Sequence, residues 1–215
     1  MNKVKFDKDA ILEKSFEIAV KNGFNGISVR KVSQAVGCST SPVYTAFKDI
    51  DGLISATVKK ATDLIKEYVS KEYTDMVFLN SGVGLLVFAR DYPKLYRELF
   101  VDNPDHEVEN ELRKMFFLLF NTDPLSTFIE MDELEVVLTK MWFFSHGIAT
   151  SICSESIEIK EDNDYINILG EIGKELIISV LTKNGNLKEY SDFLEKENKR
   201  IGDRKFSWKI WTNNE

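Results

Sequence analysis

Between residues 28 and 48 the chain gathers hydrogen-bonding groups at helical spacing. Ser41, Tyr44, Thr45 and Lys48 fall at i, i+3, i+4 and i+7, so a short helix through Phe47 carries all four on one face. Val43 and Phe47 take the opposite, inward face. On the segment before it, Arg30 and Gln34 line up one turn apart, away from Val29, Val32 and Val36. Hydroxyl, ammonium and guanidinium groups in such an array suit binding rather than bond-breaking. They hydrogen-bond phosphate oxygens and the base edges of a major groove, and a helix N-terminus adds its dipole and free N–H groups. A four-residue turn, Gly37–Thr40, separates the two segments, which is helix-turn-helix spacing.

Other chemistries find little support. Ser145 and His146 are neighbours, and neighbouring side chains diverge on a helix, so they cannot form a nucleophile–base pair. No Gly-x-Ser-x-Gly, phosphate loop or dinucleotide fingerprint occurs, and an enzyme is not expected. His106 and His146 are the only histidines, too few for a histidine-rich metal cluster, and the acids around His106 read as a solvated helix start. Cys38 and Cys153 form no spaced framework, and Cys38 fills a slot suited to a small buried residue. Neither a metal nor another cofactor is expected.

The elements that must position this array are helices. Of the 215 residues, 43% are apolar, 12% are aromatic and only four are proline, which suits a packed core and long helices. Apolar periodicity predicts helices over residues 7–22, a short one capped by Ser28 and closed by Gly37, one through Phe47, and one over 51–71. Further helices are predicted at 76–91, from Pro93 to about 101, and at 105–121, 132–153, 163–183 and 187–201. The segment 76–91 is apolar all round and is expected at the centre. The fold class is all-α: an N-terminal three-helix unit (1–50), a larger helical body (51–203) and a tail (204–215). The net charge of −7 hides a split. Residues 1–60 hold 10 Lys+Arg against 6 Asp+Glu, a balance of +4, and the rest hold 18 against 29, a balance of −11. No apolar run approaches the ~18 residues of a membrane span and the first ten residues carry no signal-like stretch, so a cytoplasmic chain without membrane contact is expected.

The run Gly23-Phe24-Asn25-Gly26-Ile27-Ser28-Val29-Arg30, followed by Val32, Ala35, Gly37, Ser39, Val43-Tyr44, Phe47 and Leu53, resembles the DNA-binding domain of TetR/AcrR-family transcriptional regulators. The likeness covers residues 7–55, and beyond them it is architectural. It implies that Ser28 and Tyr44 hold phosphates, that Arg30 meets a phosphate or a base edge, and that Thr40, Ser41 and Thr45 face the groove floor. Three departures from the family pattern stand out, one of them a pair of residues. Ala46 stands where histidine is frequent and Ile50 where a lysine is usual, with Lys48 near enough to supply a backbone contact instead. Lys14-Ser15 replaces an Ala-Ala pair. The stretch 142–149, with His146-Gly147, looks like the late dimer-forming helix of the family.

The resemblance implies a ligand cavity among the central helices, and Phe78, Phe88, Met115, Phe116, Phe120, Met141, Trp142 and Phe144 are its candidate walls. An acidic body would tolerate a cationic lipophile there. Glycines inside helices, Gly147, Gly170 and Gly173, each cost about 1 kcal/mol relative to alanine, which is easiest to understand where another helix backbone comes close. With Ile166 and Ile177 they are the candidate two-fold interface. In the tail, Phe206, Trp208 and Ile210 alternate with polar residues, and docking onto the body or a partner subunit is expected. The leading expectation is a homodimeric regulator, a repressor that leaves a palindromic DNA operator when a small hydrophobic or aromatic effector binds. An activator, or a helical interaction protein of the same fold with weakened DNA binding, is the alternative.

Overall fold

The computed structural model describes residues 7–159 and 161–201. The alternating tail after Asp203 lies outside the described residues. Among those described the chain forms ten α-helices and no strand.

The head is α1 (Lys8–Asn22), α2 (Val29–Val36) and α3 (Thr40–Phe47). Asp7 caps α1, and Gly23 ends it at φ +76°, a conformation that side chains resist. A single 3-10 turn, Phe24–Gly26, leads to Ser28, whose side chain caps α2 by accepting from the Lys31 N–H. Gly37 closes α2 in the left-handed region, and the Cys38 N–H returns to the Ser33 carbonyl, a Schellman ending. Ile11, Ala19, Val32, Val43 and Phe47 fill the head's core.

α4 (Ile50–Val69), capped by Asp49, spans about 30 Å and joins head to body. Its N-terminus is held where a Cβ on Gly52 would meet the Phe47 carbonyl, which only glycine permits. The body is α5 (Val77–Asp91), α6 (Pro93–Arg97), α7 (His106–Phe120), α8 (Met131–Cys153), α9 (Asp162–Asn184) and α10 (Leu187–Ile201). As its all-round apolarity predicts, α5 is central and packs against α4, α7, α8 and α9. Its backbone comes so close to α4 that a Cβ on Gly84 would land on the Tyr68 carbonyl.

Two departures from the sequence expectations have physical causes. The helix beginning at Pro93 changes at Glu98 into a π-helical turn, Glu98–Asp102. That turn brings residues five apart into register, and Arg97 grips Asp102 through two nitrogens at 2.9 and 3.2 Å. In addition, α8 is long enough, and apolar enough over an 18-residue window (mean hydropathy 1.2), to cross a membrane, although no unbroken apolar run reveals it. Its inward face, with Leu134, Val137, Met141 and Ala149, packs on α5, α6 and α9 inside the bundle.

Candidate nucleic-acid interface and effector cavity

α2 and α3 present the hydrogen-bonding array to solvent. Arg30 lies exposed in the first turn of α2, and Thr40, Ser41, Tyr44 and Thr45 are exposed along α3. Half of the Tyr44 surface is open (51%), an aromatic ring left out of the core beside Val43 and Phe47, which are in it. Ser39 precedes α3 without capping it by a side-chain hydrogen bond. The first-turn N–H groups of Thr40 and Ser41 therefore stay open to an anionic partner. Ser28 is half-buried, and its oxygen receives the Lys31 N–H at 3.3 Å while its own proton remains available. Thr45 donates its hydroxyl to the Ser41 carbonyl at 2.9 Å, leaving its oxygen an acceptor toward solvent.

Lys48 departs from the shared face. It is the C-cap of α3, at φ +68° and ψ −53°, with its N–H on the Tyr44 carbonyl at 2.8 Å. Its exposed side chain therefore leaves from beyond the helix, and the face formed by Ser41, Tyr44 and Thr45 ends at Thr45. Ala46 and Ile50, the unusual positions, are half-buried against the apolar core. Ser15 donates to Thr57 of α4 at 2.8 Å, because the Thr57 hydroxyl proton is on the Leu53 carbonyl; both side chains are fully buried. An alanine at position 15 would remove this buried hydrogen bond between α1 and α4.

The head is tied to the body by α6 as well as by α4. Glu98 accepts the Phe24 N–H at 2.5 Å, in the place a Cβ of residue 23 would occupy, and Lys94 donates to the Lys21 carbonyl. Glu13 pairs with Lys60 at 2.8 Å, and Lys60 also lies over the Phe16 ring.

A cavity of about 630 Å³ lies among α5, α7, α8 and α9. Of the predicted wall residues, Phe78, Phe116, Met141 and Trp142 line it. Phe88, Met115, Phe120 and Phe144 do not. Phe88 is turned toward α4, edge-on to Tyr68 and tilted against Tyr92, and Phe120 lies behind Phe78 as its edge-on support. Met115 and Phe144 sit half-buried on other faces of α7 and α8. Leu79, Leu85, Phe117, Leu138 and Leu169 complete the wall, and Arg113, Lys114 and Glu135 stand at its rim. Asp123 braces the entry to α5 by accepting from the Phe78 N–H (3.4 Å) and the Leu125 N–H (3.0 Å), and burial raises its carboxyl above the usual range.

The glycine pair of α9 faces this same space. Gly170 and Gly173 line the cavity, with Met141 the nearest neighbour to a Cβ on Gly173, and Ile166 and Ile177 are buried in the protomer's own core. These four residues are buried within their own chain. Gly147 alone among the five interface candidates is on the outside, with open space around it. It shares that outer face of α8 with Val136 and Phe143, apolar yet 52% and 68% exposed.

Behind Trp142 stands a chain of contacts missed by the sequence reading. The Trp142 ring lies 4.2 Å from the His146 ring, and the Tyr96 hydroxyl of α6 meets His146 Nδ1 at 2.5 Å. Burial holds the Tyr96 hydroxyl protonated and pushes the imidazole down to about 4, so His146 is neutral and accepts. Two residues beyond Tyr96 comes Glu98, on the Phe24 N–H of the head.

The fold has solved counterparts. A TetR-family transcriptional regulator from Streptomyces coelicolor superposes with TM-score 0.67 at 11% identity, over 90% of this chain and 96% of its own. One from Rhodococcus sp. gives 0.60 at 16%, over 79% and 98%. A TetR-like regulator from Rhodococcus sp. RHA1 gives 0.54 at 13%, over 77% and 92%. The chain therefore has the all-α fold of TetR-family transcriptional regulators. No family model and no curated protein sequence matches it.

Proposed function

We propose that this protein is a homodimeric, effector-responsive transcriptional regulator acting in the cytoplasm as a repressor. The observation that carries the reading is the outward face of α3, where Ser41, Tyr44 and Thr45 stand exposed beside Arg30 of α2 on a head whose core takes Ile11, Val32, Val43 and Phe47. Each protomer would lay α3 in a major groove, and two heads about 34 Å apart would read the halves of a palindrome. Arg30 would contact a phosphate or base edge, Ser28 and Tyr44 would hold phosphates, and Thr40, Ser41 and Thr45 would face the bases. Lys48 would contribute a backbone contact from beyond the helix. Dimerisation would cover the outer face of α8, with Phe143 and Val136 at its centre and Gly147 letting the partner approach.

The cavity would receive a small apolar effector. Its binding would shift the packing of Trp142, and His146, Tyr96 and Glu98 would pass that shift through α6 to the turn before α2. Only a difference in effector affinity between two head spacings is needed. Selection of bound sequences from a random duplex library at low salt tests the reading. An enriched inverted repeat is expected, and uniform recovery of all sequences would contradict it. In that event the fold would serve as a helical interaction module, a reading favoured by Ile50 and Ala46 being committed to packing.

A further inference from the structure

The charge at the cavity runs opposite to the charge of the body around it. Beyond residue 60 the chain carries a balance of −11, yet the rim holds two cations, Arg113 and Lys114 of α7, against one carboxylate, Glu135 of α8. All three side chains are exposed at the mouth, while the wall behind them is apolar (Phe78, Leu85, Leu138, Met141, Trp142, Leu169). Glu109 and Glu111, the acids of α7 nearest in sequence to the two cations, are turned elsewhere. Glu111 is held by Lys66 of α4 at 2.6 Å, and Glu109, one turn before Arg113, sits beside His106 at 3.8 Å. Among the described residues no carboxylate pairs with Arg113 or Lys114. The buried polar groups of the inner wall are neutral hydroxyls, Ser81 and Ser145, and a charge buried there without a partner would be strongly unfavourable.

We propose that the cavity takes a lipophilic carboxylate, its apolar part enclosed by α5, α8 and α9 and its anionic group held at the rim by Arg113 and Lys114. This rests on reading the cavity as an effector site. A guanidinium beside an ammonium suits a carboxylate: the first offers a two-pronged donor and the second a point charge. A cationic lipophile, which the acidic body alone suggests, would meet two like charges and one carboxylate.

Calorimetric titration of the full chain at low salt, with four probes kept below their aggregation concentrations, tests this. The probes are dodecanoate, 2-naphthoate, dodecanol and dodecyltrimethylammonium. At least one carboxylate is expected to bind about tenfold more tightly than the alcohol, with the ammonium weakest. Which carboxylate leads tells whether the apolar part is a chain or a ring, and either result supports the class. The exposed double variant Arg113→Gln/Lys114→Gln is expected to bring the carboxylate to the alcohol's affinity while leaving the alcohol unchanged. Glu135→Gln is expected to tighten the carboxylate, an effect that a structural role would not produce. If the alcohol or the ammonium matches or exceeds both carboxylates, the inference is overturned and the effector cavity stands. If none of the four binds, the effector reading of the cavity falls with it.

Discussion

The exposed array of α2 and α3 and the cavity are built over different ranges of the chain. Arg30, Ser41, Tyr44 and Thr45 sit within two eight-residue helices, and their outward direction follows from the opposite placement of Val32, Val43 and Phe47. The cavity draws its wall from Met76 to Gly173, and its shape depends on which sides of four helices meet. Phe78 and Phe88 share one helix and one chemistry, yet only Phe78 reaches the cavity, because α4 claims the side that Phe88 occupies. A surface face is thus a local property of its helix. A cavity belongs to the packing of several, so changes in the body should disturb stability and function together, whereas changes on the head should separate them.

The largest expected effect tests the body. His146 is held neutral by burial, with its ring nitrogen pushed down to about 4 from the ordinary 6.5. Between those values the unfolded chain binds a proton that the folded chain refuses, so folding stability rises with pH across this window and falls on acidification. Taken from pH 7 to pH 4 the loss through this one group is about 3 kcal/mol. Urea unfolding of the native chain and of His146→Gln at both pH values checks it. The variant should lose much less of its stability on acidification, and an equal loss in both proteins would show that His146 is not the group responsible.

Arg30→Ala tests the other side of the contrast. The side chain is exposed, so the unfolding free energy measured in urea should change by no more than about 0.5 kcal/mol. Specific DNA affinity should fall by about 2 kcal/mol per protomer if Arg30 reads a base edge, with preference at that base relaxed. If it meets only phosphate, binding should weaken evenly across sequences and depend less on salt. Unchanged affinity for the selected operator would remove Arg30 from the interface.

The same difference of range explains what the sequence made legible. The capping residues Ser28 and Gly37 and the limits of α8 and α9, which agree within a residue, are local signals. The glycines of α9 were expected where another helix backbone comes close, but a Cβ on Gly173 would meet only the Met141 methyl at 3.9 Å, and both glycines line the cavity. Periodicity reports that a face is buried and not what buries it. Lys48 shows the limit of helical spacing itself. Its positive φ ends α3, and no residue type at that position announces a non-glycine in that conformation. Glu98 was silent for a third reason: an exposed-looking acid becomes a cap only when α6 is brought against the turn after α1.

Glu98 is also where the two regions meet, and the smallest of these effects probes it. Its carboxylate receives the Phe24 N–H, and Gly23 leaves the room it needs. Glu98→Gln keeps an acceptor oxygen but removes the charge, which should weaken that contact by about 1 kcal/mol. If α6 carries the signal, the variant should bind the best of the four probes as tightly as the native chain does in the absence of DNA. The probe's effect on operator affinity should shrink about fivefold, and by reciprocity the operator's effect on probe affinity should shrink by the same factor. Undiminished coupling in both directions would show that α4 alone, through Ser15–Thr57 and Glu13–Lys60, joins the cavity to the head.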